Sequence, residues 1–274
     1  DENGDPLGVR KEMPAPQIAC CGLKVAAKPE DWMALVPDDA PNAQLMRQEL
    51  RLLHASFAQA PLLGSLLDPA RSLKDDLATS SLETLRKLLE RALASERPTT
   101  TRGQVSQAQN DGWDMALTAK GVLEAAALLG QTYELVVTNV PYLTGKRMSE
   151  GLGDHAKRVF PDSKSDLATV FLERAIEFCS RGGVSQLVMT QNWLFLAGYK
   201  KLREKLLQSV NINLLAKLGG GAEAFESGPG NITNICLLTV TKVDKNPTRS
   251  LIRGIDVSER KTPPEKAALL ITKA

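Results

Sequence analysis

The residues best placed to do chemistry stand together in one run: Asn139, Val140, Pro141 and Tyr142 follow directly on the apolar stretch Tyr133 to Thr138. An exocyclic ring amine is a poor nucleophile because its lone pair is delocalised. Two acceptors placed on its hydrogens favour the pyramidal nitrogen that attack requires. The Asn139 side-chain oxygen and the Val140 carbonyl are two such acceptors. Pro141 has no N–H and biases Val140 toward extended backbone, which aims that carbonyl. Tyr142 offers a ring face on which a nucleobase gains about 1–3 kcal/mol by stacking. The four residues read as a clamp for a flat, amine-bearing base.

The rest of the chemistry-bearing inventory is sparse. The only histidines are His54 and His155, at no zinc-ligand spacing, and Cys20, Cys21, Cys179 and Cys236 form no Cys-x-x-Cys pair. We read the cysteines as reduced thiols, and the expected compartment is the cytoplasm. Lys+Arg 34 against Asp+Glu 32 leaves a net charge of +2, which neither demands nor excludes nucleic acid. Local basic clusters are the candidates for phosphate contact: Lys146 and Arg147 just after the clamp, and Lys200 and Lys201 opening a helix. No apolar run reaches the roughly 18 residues of a membrane span, so no membrane partner is expected.

Elements must carry these residues, and 43% hydrophobic composition suffices for a packed core. Residues 1–16 read as a polar linker and Gln17–Leu23 as a short strand. Met46, Leu50, Leu53 and Phe57 recur at helical spacing within 41–58, as do Leu82, Leu85, Leu89 and Leu93 within 80–95. A polar seam at 96–110 precedes a helix at 112–129. Beyond it the pattern alternates: strand 133–138, loop to about 164, helix 166–180, strand 184–189, helix 197–208, strand 212–217 and strand 232–242. Alternation of helices with single buried strands predicts parallel pairing and helices on the sheet faces. The charged segment 244–274 holds a candidate edge strand at Ser250–Ile255. The domains expected are thus 17–110, a helical first part, and 111–243, a catalytic half, with 244–274 as a charged tail.

Asn139-Val140-Pro141-Tyr142 resembles the Asn-Pro-Pro-Tyr motif of amino-group methyltransferases, above all the adenine-specific DNA methyltransferases. The stretches SDLATVFLERAIEFCSRGG (165–183), VSQLVMTQNWLFLAGYKKLREKLL (184–207) and GAEAFESGPGNITNICLLTV (221–240) follow that family's order of helix, strand, Trp-Leu turn, helix and late hairpin. Residues 17–143 are similar to the phage-defence methyltransferases of the BREX type.

The resemblance implies an α/β fold: part of a Rossmann-like, S-adenosylmethionine-dependent methyltransferase domain, with a mixed sheet and flanking helices. It implies that Asn139 and Val140 bind the target amine, that Tyr142 stacks on a flipped adenine, and that Phe225 covers the base's other face. Asp166 and Phe171 fall where relatives approach the cofactor's adenine. The implied partners are double-stranded DNA and other subunits of a defence system.

Two departures qualify this reading. Val140 replaces the first proline, and a backbone carbonyl with a β-branched side chain before Pro141 is expected to serve as well. No glycine-rich cofactor loop follows a first strand, and Gly219-Gly220-Gly221 comes too late to be one. The chain opens on Asp1-Glu2-Asn3-Gly4-Asp5-Pro6, and we expect a fragment whose cofactor loop lies elsewhere. An amino-methyltransferase for protein glutamine or RNA, and a non-catalytic DNA-binding or assembly part of a defence complex, remain open as alternatives.

Overall fold

The computed structural model describes residues 16–19, 28–40, 42–69, 107–220, 234–243 and 251–273, with side chains described from Thr118 onward in the helix that begins at Gln107. Contacts divide the chain into two compact units, Asp1–Leu129 and Gly130–Ala274. The sequence-based helix at 80–95, most of the strand at Gln17–Leu23, the seam up to residue 106, and Cys20, Cys21, Gly221 and Phe225 lie outside the described residues. Gln17–Ala19 themselves form no strand.

In the first unit, the described helices are α1 (Pro29–Met33), α2 (Ala43–Phe57), α3 (Ala60–Leu63) and α4 (Gln107–Gly130). The heptad-like spacing read in α2 is its buried face: Met46, Leu50, Leu53 and Phe57 are all at most 5% exposed. Trp32 on α1 meets the His54 ring of α2 edge-on, with centroids 5.1 Å apart.

The second unit is a five-stranded sheet of β1 (Tyr133–Asn139), β2 (Cys179–Thr190), β3 (Val210–Gly220), β4 (Asn234–Lys242) and β5 (Arg253–Asp256), in the order β1-β2-β4-β3-β5. The wholly parallel pairing that alternation predicted does not hold. β1 runs parallel to β2 and β5 to β3, whereas β4 is antiparallel to both of its neighbours. Side-chain periodicity reports which face is apolar and carries no information on strand direction; the late hairpin β3–β4 turns the sheet mixed.

Among the described residues of this unit the α-helices are α5 (Glu150–Val159), α6 (Leu167–Phe178), α7 (Lys200–Ser209) and α8 (Pro263–Lys273). α6 packs on β1 and β2, and α7 on β3. The main core joins Leu172 and Ala175 of α6, Leu202 and Leu206 of α7, and Leu187, Met189, Leu238 and Val240 of the sheet, all nearly fully buried. Trp193 packs there too, 2% exposed. Lys242 closes the carboxyl end of α6, its Nζ donating to the Cys179 carbonyl at 2.7 Å, where a cation also complements the helix dipole.

α5 and α8 correct the sequence reading, which had a loop to residue 164 and no helix in the tail, whereas the candidate edge strand of the tail is present as β5. β1 corrects it as well. Its residues alternate between half-buried and exposed, with Leu135 61% and Val137 67% exposed. Leu135 and Val137 share one face of the strand, opposite Val136, which packs on the main core, and an apolar run does not by itself guarantee that both faces are covered.

Candidate active site

Register locates the functional end of the sheet. Asn139 closes β1 opposite Val188 of β2, Thr190 closes β2 opposite Ile235, and Gly220 closes β3 opposite Asn234. The carboxyl ends of β1, β2 and β3 therefore share one edge with the start of β4. In open α/β sheets, ligands bind outside the carboxyl ends of parallel strands.

Asn139 is exposed at that edge, and Val140 is 3% exposed. The Val140 amide donates to the Val188 carbonyl at 3.3 Å, extending the β1–β2 ladder one residue past the strand. A proline at this position would have no hydrogen to give. Valine thus adds an anchor that proline could not, and its side chain sits in the main core. Pro141 is exposed.

Tyr142 is half-buried and touches both clusters of the sheet's apolar interior. Its hydroxyl donates to Asn139 Oδ1 at 3.3 Å, so the acceptor read as an amine ligand is engaged within the clamp itself. Burial, with a smaller contribution from the Cys236 thiol, holds the Tyr142 hydroxyl above its ordinary value. Cys236 lies fully buried beneath the clamp and burial pushes its thiol up to about 12. It is a neutral S–H there, a packing group rather than a nucleophile. Nothing in the sequence marked Cys236 as a neighbour of the site, since it lies on β4, nearly a hundred residues away in the chain.

Downstream, the loop is stitched to the start of α6. Gly145 N–H donates to the Ser165 carbonyl and Leu167 N–H to the Leu143 carbonyl, each at 2.8 Å. Thr144 and Asp166 form an antiparallel bridge. Asp166 is the N-cap of α6, its carboxylate accepting from the Ala168 amide at 2.9 Å, as N-cap aspartates do. Phe171, one turn further along α6, is half-buried against the core that holds Val140.

The basic candidates fall on two separate elements. Lys146 and Arg147 are exposed in a 3-10 turn, Gly145–Arg147, directly behind the clamp. Lys200 and Lys201 are exposed at the start of α7, where Lys200 pairs with Glu204 at 3.9 Å. Arg203 of the same helix turns back, donating to the carbonyls of Trp193 and Leu196 at 2.6 and 2.9 Å. It fixes the Trp-Leu turn, leaving Phe195 and Leu196 exposed. Among the described residues, no cluster of acidic, histidine or cysteine side chains is suited to a metal ion, and no helix is long and apolar enough to cross a membrane.

Known proteins match this chain in the same terms. An adenine-specific methyltransferase, BrxX, of Escherichia coli O9:H4 (strain HS) is 32% identical over 214 residues, 78% of this chain and 15% of the relative. The adenine-specific methyltransferase PglX of Lacticaseibacillus casei (strain Zhang) is 27% identical over 186 residues, 68% of this chain and 14% of its own. The chain thus spans about one seventh of the length of these relatives. Among solved structures, a nuclease-deletion mutant of the Type ISP restriction-modification enzyme LlaGI, in complex with a DNA substrate mimic, aligns with 70% of this chain and 21% of that one. Identity there is 15% and the TM-score 0.41. The pattern of the Eco57I restriction-modification methylase matches residues 43–225, well over half of the sequence and inclusive of the clamp. The chain belongs to the Eco57I restriction-modification methylase family.

Proposed function

We propose that this chain supplies the catalytic and base-binding part of an adenine-specific DNA methyltransferase, acting in restriction-modification or phage defence on the N6 amine of an adenine flipped out of a duplex. The observation that carries this reading is the Asn139–Tyr142 clamp at the carboxyl edge of the sheet, in a chain of a methylase family.

Each group then has a task. Asn139 Oδ1 and the Val140 carbonyl accept the two N6 hydrogens, which aims the nitrogen lone pair away from the ring plane. To do so, Asn139 exchanges its bond from the Tyr142 hydroxyl for one from the incoming amine. The Tyr142 ring, freed of that bond, stacks on the extruded base and offsets part of the cost of unstacking it from DNA. Phe225 is the proposed cover for the opposite face. S-adenosylmethionine, when bound, supplies a methyl group on a positively charged sulfur.

The residues here fit one edge of that cofactor. Phe171, half-buried against the core that also holds Val140, is the residue proposed to meet the cofactor's adenine, and the glycine loop is proposed to lie outside this chain. With the amine held by Asn139 and the Val140 carbonyl, N6 would take the methyl directly and release one proton to solvent, so no covalent enzyme intermediate would be needed. Lys146, Arg147, Lys200 and Lys201 are the proposed phosphate contacts on double-stranded DNA. The cytoplasm, where DNA and cofactor meet, is the proposed site of action, with other defence subunits as further partners.

The deciding experiment measures methyl transfer to duplex DNA by the full-length protein carrying Asn139→Ala. Losing one positioned hydrogen-bonding group at a reacting centre costs about 10²–10³ in rate, and undiminished transfer would sink the assignment.

A further inference from the structure

The clamp is pinned at both ends. Upstream, Val140 is tied to β2 through Val188. Downstream, Leu143 and Gly145 are tied to the segment that starts α6. That second tie is close-packed as well as hydrogen-bonded: a Cβ on Gly145 would lie 3.1 Å from the Lys164 carbonyl oxygen and 3.3 Å from that of Ser165. The segment is itself braced from below, where the buried Thr169 hydroxyl donates to the Ser163 and Asp166 carbonyls at 2.6 and 2.7 Å.

Asp166 sits at the junction, 4% exposed. Its carboxylate accepts from the Ala168 amide at 2.9 Å; Leu143 and Thr190 are polar neighbours, and burial outweighs all three, holding the carboxyl above its ordinary value. Thr190 Oγ1 is buried without a hydrogen bond of ordinary geometry, so it is a close polar neighbour, and the Ala168 bond is the firm one. A carboxylate enclosed this way is costly unless donors converge on it. Here the one firm donor comes from α6, and the backbone about Asp166 is joined to the loop after Tyr142 by the Thr144–Asp166 bridge and the Leu167–Leu143 bond. The side chain is turned into the protein, with Oδ1 engaged by the backbone of α6.

We infer that Asp166 is a positioning residue, capping α6 where the loop that carries Asn139–Tyr142 is joined to it, and that it does not bind the cofactor. The inference rests on the methyl-transfer reading of the clamp. It assigns Asp166 a task opposite to the one its family position implies, and leaves the cofactor's adenine to Phe171. Loosening the tie moves Tyr142 and the Val140 carbonyl together, because both lie between the two anchors.

The test uses the full-length protein with Asp166→Ala and Asp166→Asn, and Asn139→Ala alongside. Two quantities are measured: S-adenosylmethionine affinity by calorimetry, and the single-turnover rate on duplex DNA at saturating cofactor. Misplacing reacting groups by about an ångström costs up to about 100-fold. Asp166→Ala is expected to slow transfer about 10- to 100-fold with cofactor affinity kept within about threefold. Asp166→Asn, which retains an oxygen for the Ala168 amide, is expected to recover part of that rate. A cofactor affinity weakened beyond threefold, or a rate in Asp166→Ala within threefold of the parent, would overturn the inference. Should Asp166→Ala fail to fold, the cofactor affinity of Asp166→Asn decides by the same threefold limit. If Asn139→Ala retains full activity, the methyl-transfer reading itself fails, whatever the Asp166 variants do.

Discussion

β1 and β4 belong to one sheet and are built on opposite plans. β4 has strands on both sides, and Ile235, Cys236, Leu238 and Val240 are all at most 1% exposed. β1 has a strand partner on one side among the described residues, no fully buried residue, and two widely exposed apolar side chains, Leu135 and Val137. Yet β1 is the strand that delivers the clamp. It is held by its backbone ladder to β2 and by the ties that begin one residue past its end, at Val140, Leu143 and Gly145. Two kinds of fastening thus serve two strands: side-chain burial fixes β4, and backbone anchoring with the buried Val140 side chain fixes the segment proposed to do the chemistry.

The sharpest way to break this contrast is to remove comparable apolar groups from the two strands. Leu238→Ala empties a fully buried site, touched from β2 and β3 through Leu187 and Leu215, and is expected to cost about 2–5 kcal/mol. Val137→Ala, at 67% exposure, should cost less than about 0.5 kcal/mol. Hydrogen exchange of the sheet amides in the full-length protein reads both. Comparable losses of protection in the two variants would show that β1 is buried as deeply as β4 in the working molecule.

Beyond the end of β1, the expected effects move from stability to kinetics. Tyr142→Ala removes the stacking face and should lower kcat/KM for duplex DNA by about 1–3 kcal/mol in free-energy terms, roughly 5- to 150-fold. Tyr142→Phe keeps the ring and removes only the hydroxyl that engages Asn139 Oδ1 at 3.3 Å. Its kcat/KM should equal or modestly exceed that of the parent, because the amine no longer has to displace a hydrogen bond. A Phe variant as poor as the Ala variant would move the role of Tyr142 from its ring to its hydroxyl.

How much of this was legible follows the range of the signal. The clamp and the end of β1 were readable because both are local: a β-branched run, a polar stop and a proline within ten residues. The α2 face was readable from apolar spacing, and α6 from the alternation of elements. α5 was hidden by its glycines, Gly151 and Gly153, which lower helix propensity. α8 carried a start signal in Pro263-Pro264-Glu265, masked by the charged composition around it. The direction of β4 and the exposure of β1 depend on neighbours, which periodicity does not report. The stitching of Leu143 to Leu167, the enclosure of Asp166 and the position of Cys236 under Tyr142 join residues 20 to 100 positions apart in the sequence, and no local pattern announces such contacts.

The opposite edge of the sheet offers the smallest test of the same contrast, because β5 is fastened to β3 partly by charge. Lys217 Nζ lies 2.7 Å from Asp256 Oδ2, and the Ser258 amide and hydroxyl donate to Asp256 Oδ1 at 3.0 and 2.6 Å. The Lys217 bond first, then the Ser258 bonds, lower the Asp256 carboxyl from 3.8 to about 2. A depressed carboxylate contributes stability that is fully present above its unfolded value, and this is lost as pH falls through the folded one. The window here runs from about pH 4 down to about pH 2. Asp256 is 53% exposed, so solvent screening leaves less than about 1 kcal/mol. Asp256→Asn should therefore be slightly less stable than the parent at neutral pH and indistinguishable from it near pH 2, as read from denaturant midpoints across that range. A deficit of the same size at both ends would mean that Asp256 holds β5 by its shape and hydrogen bonds to Ser258 rather than by its charge, and the β5 edge would then resemble the backbone-anchored β1 edge.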